Sequence, residues 1–435
     1  MQECRSSEQG KSGEATRGQG VSPARKRKRL VVLSHWSALW YYRLSRIGLA
    51  LVPYECEESS LADATANLGY LTSKDESLLM VSTAEFAASS IFVVEDVEKA
   101  RRELGNEYQM AALSVATEVP YMIVPPDELD VLVGKGTKRP GPKARAKAGN
   151  AAFTGAHAHQ CGYDLPAGSI RRIGANLYIV SPALMFVQLA RELGEPHKVA
   201  ALATELAGTY SLLPEGMTCC EKILKKGKPA FDEHGWLQGD GYRDALPLVT
   251  IDELREYVNE AGRMPGVNAA KRGLRASVDN SASPVETPID VSLALPRPWG
   301  GAGCGLPDAN SVIPLTGEGK KLTGKKHVRP DLLYVNKKGQ RIDIEPGGSE
   351  WHSGKDAMTS DNDRRLALEH KGVEVIVVPW ETFKDEGKWM HICRRVQRHL
   401  GKNYHAPSAR MMARWRRVHQ DLCNTNLLKQ RPRRR

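Results

Sequence analysis

No apolar run in this chain reaches the roughly 18 residues that a membrane-spanning helix needs, which argues against a membrane protein. The residues up to Arg29 are polar and lack the apolar core of a secretory signal, so no export is expected. The eight cysteines include no Cys-x-x-Cys pair and no regular spacing, and only Cys219 and Cys220 are adjacent. That excludes a disulfide framework and a zinc ribbon, and reduced thiols in a cytoplasmic setting are expected. Gly300, Gly301, Gly303 and Gly305 form a lone glycine-rich loop with no Lys-Ser/Thr after it, so a nucleotide-binding loop of that type is excluded. Residues 30–130 show no clean helix-turn-helix spacing.

What is present is an ordinary globular composition with unevenly placed charge. The 435 residues are 41% hydrophobic and 26% charged, enough for two or three domains with sizeable cores. The formal net charge is +11. From His391 to Arg435 there are thirteen Lys/Arg against one acid, Asp421, so the remainder of the chain is close to neutral. Two smaller basic clusters occupy 25–29 and 135–147. Contact with a nucleic-acid backbone is one reading, with Arg410, Arg414, Arg416, Arg417, Arg433, Arg434 and Arg435 as candidates. The alternatives are a solvated basic tail and a docked helix, in which Met411, Met412, Trp415, Val418 and Leu422 form an apolar stripe against the preceding domain.

Along the chain the expected divisions are a disordered basic N-terminus (1–29), an N-terminal α/β region (30–133), and a basic linker or loop (134–150). An α+β middle domain (151–280), a C-terminal domain (281–400) and the basic tail (401–435) follow. Ser37–Ile47 has helical apolar spacing after a short strand from Leu30. Further short elements are expected at 83–88, 90–94, 97–104 and 121–124. Residues 169–180 read as a hairpin turning near Gly174–Asn176. Ser181-Pro182 then opens a helix that Gly194 closes. A second helix, His197–Ala207, ends at Gly208, and Thr250-x-x-Glu253 is a capping box for a third. A fourth helix is expected at 269–278. His157-x-His159-x-Cys161 offers metal-ligand types at alternate positions, but with no second half of a zinc site in the sequence it reads as a strand with surface histidines.

The C-terminal domain carries the chemistry. Arg329-Pro330-Asp331-Leu332-Leu333-Tyr334 is followed by a polar turn and by Ile342-Asp343-Ile344-Glu345-Pro346-Gly347-Gly348. This pattern is that of an antiparallel hairpin, which can bring Asp331 and Glu345 together. Adjacent carboxylates need a cation or a shared proton, and hard oxygen ligands on a rigid hairpin suit Mg²⁺. Asp343 lies on the same face as Glu345 and competes with it as ligand. Glu286 has two readings. With Ser283 it forms a capping box, or it adds a third acid to the site. A helix Asp361–Lys371, a strand Val373–Val378 and a helix Glu386–Leu400 complete a mixed sheet flanked by helices, an α/β class.

Pro330-Asp331, the hairpin and Glu345 resemble the core of PD-(D/E)xK nucleases. The continuation to Trp351-His352, then Asp361-x-x-Arg364-x-x-x-Leu368-x-x-x-Gly372, is similar to the branch containing the very-short-patch-repair (Vsr) endonucleases. The resemblance covers roughly 283–385. It implies a restriction-endonuclease-like sheet, Mg²⁺ or Mn²⁺ held by Asp331, Glu345 and Glu286, and DNA as substrate. His352 would meet the metal-bound water or the phosphate, with Asp361 and Arg364 on the following helix. The third position of the triplet is Gly347 where the family has Lys, so His352, Lys355 or Arg364 must supply the missing function. The hairpin and Ser181-Pro182 helix loosely resemble AbiEi-type proteins that carry such a domain, which implies a protein or DNA partner for the upstream region. The expected activity is a metal-dependent DNA endonuclease or nickase. A non-catalytic DNA-binding regulator of antitoxin type and an RNA-directed nuclease are the alternatives.

Overall fold

The computed structural model describes residues 31–46, 110–111, 120–123, 129–134, 156–172, 177–212, 217–219, 242–309, 311–347, 355–403, 406–424 and 427–428. The elements expected at 83–104 lie outside these residues, as do 1–29 and the basic stretch 135–150.

The N-terminal elements are β1 (Val31–Leu33), α1 (His35–Arg46), β2 (Met110–Ala111), β3 (Pro120–Ile123), β4 (Leu129–Gly134), β5 (Ala156–Cys161), β6 (Ile170–Arg172) and β7 (Leu177–Val180). There follow α2 (Pro182–Leu193), α3 (Pro196–Ala207), β8 (Tyr210–Leu212), β9 (Met217–Cys219), β10 (Tyr242–Asp244), α4 (Ile251–Glu260) and α5 (Val267–Gly273). A mixed five-stranded sheet, ordered β5-β4-β1-β7-β6, organises this half. Central β1 runs antiparallel to β4 and parallel to β7, and β5 is an edge strand parallel to β4. Helix α2 starts where Ser181 Oγ accepts the Leu184 N–H at 3.2 Å, with Pro182 in the first turn and Gly194 at φ 68° ending it. The capping box between Thr250 and Glu253 is complete at α4. Deep in this core Arg43 forms a two-pronged pair with Glu205, at 2.8 and 2.6 Å, and also donates to the Leu428 carbonyl. That carbonyl ties the end of the described chain to the first helix.

The C-terminal elements are α6 (Glu286–Ala294), β11 (Asp308–Ala309), β12 (Ile313–Pro314), α7 (Glu318–Thr323), β13 (His327–Val328), β14 (Leu332–Val335) and β15 (Arg341–Gly347). After them come α8 (Lys355–His370), β16 (Val373–Pro379), α9 (Trp380–Lys384), α10 (Glu386–His399) and α11 (Ala409–Leu422). The sheet is ordered β11-β14-β15-β16, antiparallel between β14 and β15 and parallel between β15 and β16. Strand alternation sorts its side chains onto two faces. Leu332, Tyr334, Ile342 and Ile344 join a core with Ile289 and Leu293 of α6, Trp389 of α10 and Trp415 of α11. Leu333 and Val373 instead meet Ala367 and Leu368 of α8. The chain is thus mixed α/β with helices on mixed sheets, as its sequence pattern implies.

Three expectations change. Helix α8 begins at Lys355, six residues before the expected start. Helix α7 has no counterpart in the sequence reading. The segment 401–435 contains α11, so it is not simply a solvated tail. Ser408 caps that helix, and Trp415, Val418 and Leu422 are buried in the C-terminal core. The docked-helix alternative describes it better. Asp421 of α11 also accepts from His197 at 2.8 Å and pairs with Lys198 of α3 at 3.2 Å, joining the two halves.

Candidate active site on the C-terminal hairpin

The register of β14 against β15 places Leu332 opposite Ile344 and Leu333 opposite Asp343. One step further along the same ladder, Asp331 falls opposite Glu345. The sequence-derived neighbourhood is therefore the observed one. The pleat sends Ile342 and Ile344 into the core and leaves Asp343 and Glu345 on the face that α8 covers. Arg364 of α8 reaches over that face. Its Nη1 lies 3.2 Å from Asp331 Oδ1, its Nη2 lies 3.2 Å from Glu345 Oε1, and Nη1 also donates to the Arg329 carbonyl at 3.3 Å. The Glu345 contact is an ion pair without hydrogen-bond alignment.

Asp343 sits behind this bridge with no exposed surface. Its Oδ1 accepts the Leu332 N–H at 3.1 Å, and its Oδ2 is buried with no hydrogen-bond partner among the described residues. Burial first, then the Glu345 and Asp331 charges, push its pKa up to about 8. Burial would lower the pKa of Arg364, but the Asp331 and Glu345 carboxylates outweigh it and hold the guanidinium above its ordinary value. Arg364 Nε is likewise buried without a hydrogen-bond partner among the described residues. Asp331 and Glu345 thus share the Arg364 guanidinium, with Asp343 buried beside them. Carboxylate oxygens from Asp331, Asp343 and Glu345 gathered on one face are hard donors of the type that a divalent cation such as Mg²⁺ takes.

Gly347 stands where the resemblance calls for Lys, and a side chain there would be tight unless its neighbours shifted by a few tenths of an ångström. A Cβ at Gly347 would stand 3.2 Å from Val377 Cγ1 and 3.4 Å from the Pro379 backbone. The site's described cation comes from α8 instead, as Arg364. Of the other candidates, His352 lies outside the described residues, and Lys355 is placed only as the first residue of α8. Glu286 begins α6 and bonds locally. Its Oε2 accepts the Ala282 N–H at 2.7 Å, while its own N–H donates to Ser283 Oγ at 3.2 Å. This is the capping arrangement shifted by one residue, and no described contact brings Glu286 to Asp331 or Glu345.

The basic candidates also separate. Arg410 is exposed. Arg414 donates to the Pro298 carbonyl, Arg416 pairs with Glu386 at 2.7 Å, and Arg417 pairs with Glu195. Arg433, Arg434 and Arg435 lie outside the described residues. Part of the expected phosphate-binding charge is therefore already committed to intramolecular pairs.

The reading of His157-x-His159-x-Cys161 needs correction. These residues do form a strand, β5, but the side chains of His157 and His159 are only 22% and 15% exposed and face Asp130. No sequence spacing signals this, because Asp130 belongs to the neighbouring strand. No helix among the described residues is long and apolar enough to cross a membrane. No family model matches the chain, and no curated protein or solved structure matches it.

Proposed function

We propose that this chain is a cytoplasmic, metal-dependent DNA endonuclease or nickase that hydrolyses phosphodiester bonds, with its C-terminal sheet a Vsr-like member of the PD-(D/E)xK fold. The observation that carries this reading is the register-matched Asp331/Glu345 pair, backed by buried Asp343 and bridged by Arg364. Asp331 and Glu345 would hold Mg²⁺ or Mn²⁺. The ion would supply charge neutralisation at the scissile phosphate and a water acidified toward neutral pH. Asp343, held behind them, fixes the end of β14 through the Leu332 N–H and keeps a proton at neutral pH while the site is metal-free. Arg364 balances the carboxylates, and its planar donors suit a phosphate oxygen. His352 and Lys355 remain the candidates for moving the proton.

A DNA-binding regulator with a silent nuclease fold is the second reading, and one observation favours it. Arg364 bridges both proposed ligands and stands where a metal would be expected, as in a site that no longer takes one. Incubating the full chain with supercoiled plasmid in Mg²⁺, Mn²⁺ or chelator separates the two. Metal-dependent conversion to open circle supports the enzyme. DNA retention without nicking in either metal supports the regulator.

A further inference from the structure

The N-terminal sheet gathers a second group of ligand side chains, chemically unlike the first. Asp130 of β4 stands beside His157 of β5 in the parallel register, with His159 two residues on along the same strand face. The three atoms they direct at one another form a small triangle. His159 Nε2 lies 2.8 Å from Asp130 Oδ1 and 2.8 Å from His157 Nδ1, and His157 Nδ1 lies 3.4 Å from Asp130 Oδ1. His35, at the junction of β1 and α1, stacks on His159 with ring centroids 3.5 Å apart and planes 16° apart. It is held there by a left-handed backbone (φ 49°), by its N–H donating to Gln188 Oε1 at 3.2 Å, and by Ser34 Oγ at 3.0 Å from its Nδ1. Glu192 of α2 completes the group. One potential ligand atom each from His35, His159 and Glu192 falls within 4.8 Å of the others, and the same holds for Asp130, His157 and His159.

Two-centre hydrogen bonds cannot satisfy all three edges of the triangle at once. His159 Nε2 carries at most one hydrogen in a neutral ring. If that hydrogen goes to Asp130, the nitrogen offers no lone pair to His157. If the nitrogen accepts from His157, it has nothing to donate to Asp130. Two lone-pair atoms are then pressed together along one edge. A cation inside the triangle removes the conflict, because all three atoms can direct lone pairs at it. The tetrahedral edge for bonds of about 2.0–2.1 Å is roughly 3.3 Å; the His157–Asp130 edge already has that length at 3.4 Å, and each 2.8 Å edge must open by about half an ångström to admit the ion. Two imidazole nitrogens and one carboxylate oxygen are the donor set of borderline metals, not of Mg²⁺ or Ca²⁺. Asp130 is 1% exposed, and both imidazoles reach its carboxylate.

We propose that Asp130, His157 and His159 form a three-residue zinc-binding site, its remaining coordination position open to water. The site would clip edge strand β5 to β4. It is built from residues other than the Asp331 hairpin and does not depend on the nuclease reading.

The test uses the full chain, stripped with chelator, dialysed, and titrated with Zn²⁺ against a chromophoric competitor, with bound metal counted by mass spectrometry. Wild type and Asp331→Asn should each bind one zinc per chain at this site. His157→Gln and His159→Gln should weaken it by more than about 100-fold, beyond what loss of an outer-shell partner costs. The melting temperature of wild type should rise on zinc addition, and that of His157→Gln should not. Should a variant fail to fold, zinc X-ray absorption on wild type still decides. A shell with at least two imidazoles is expected, and an oxygen-only shell would overturn the site. So would a wild type that binds no zinc, or equal affinity in wild type and His157→Gln.

Discussion

The two carboxylate sites handle buried negative charge in opposite ways. On the C-terminal hairpin three carboxylates crowd one guanidinium, and the balance is struck by Asp343 keeping its proton. In the N-terminal sheet a single buried carboxylate is faced by imidazoles, groups that can each offer a lone pair or a proton. The first arrangement offers only oxygen donors, with one guanidinium among the described residues bridging two of them. The second is a nitrogen-rich site whose internal hydrogen bonds cannot all form at once. Oxygen donors favour a hard ion such as Mg²⁺, and converging imidazoles favour Zn²⁺. Two metal preferences in one chain would follow from donor chemistry alone.

The sharpest way to break this comparison is catalytic. Asp331→Asn should lower plasmid nicking by about 10³-fold, since metal stabilisation of the reacting phosphate is worth several kcal/mol. Nicking by Asp331→Asn at the wild-type rate would remove the hairpin from the chemistry. The next largest effect concerns stability. Deleting 401–435 removes Trp415, Val418 and Leu422 from the C-terminal core and Asp421 from His197. Trp415→Ala alone should cost about 3–5 kcal/mol, read from denaturant midpoints. A truncated chain that melts like wild type would show that α11 is not part of the core.

A smaller effect isolates Asp343. Its folded pKa of about 8 lies above the unfolded carboxylate value of about 3.9. Between these values the folded state holds a proton that the unfolded chain has released. The stability tied to this residue is therefore complete below the unfolded pKa and lost as pH rises through about 8. Asp343→Asn keeps an acceptor for the Leu332 N–H but carries no charge. In chelator at pH 9 it should be more stable than wild type by about 1–3 kcal/mol, the range for an uncompensated buried group, and the gap should narrow as pH falls and close below the unfolded pKa of about 3.9. Equal stability of the two proteins at pH 9 would contradict the burial of a titrating Asp343. The smallest effect belongs to Arg416, which is paired with Glu386 on the surface. Arg416→Gln should change stability by less than about 1 kcal/mol. It should change the salt slope of DNA binding by well under the ~0.9 of a free phosphate contact.

The hairpin was legible in the sequence because its parts are local. A short polar turn fixes the register, and the register brings Asp331 opposite Glu345. The starts of α2 and α4 were legible for the same reason, since Ser181-Pro182 and Thr250-x-x-Glu253 bond within their own first turns. Arg364 was named from the helix that follows, but its bridging of both carboxylates depends on how α8 crosses the sheet. The sequence showed Gly where a Lys was expected, while the close approach of Val377 to that position needed the parallel pairing of β15 with β16. Least legible was the histidine cluster. Its members come from β1–α1, β4, β5 and α2, and no periodicity within one segment reports which strand lies beside another. The apolar stripe of α11 was visible, but basic residues on its other faces equally suggested a tail.

The most direct test of the hairpin as a metal centre is a binding measurement on stripped protein, independent of turnover. Mg²⁺ or Mn²⁺ is titrated into wild type and Asp331→Asn while the melting temperature is followed. Wild type should be stabilised in a saturable way. Asp331→Asn should shift far less, because the remaining carboxylates hold the ion with one fewer charged ligand. Equal shifts in the two proteins would contradict the assignment of Asp331 and Glu345 as metal ligands.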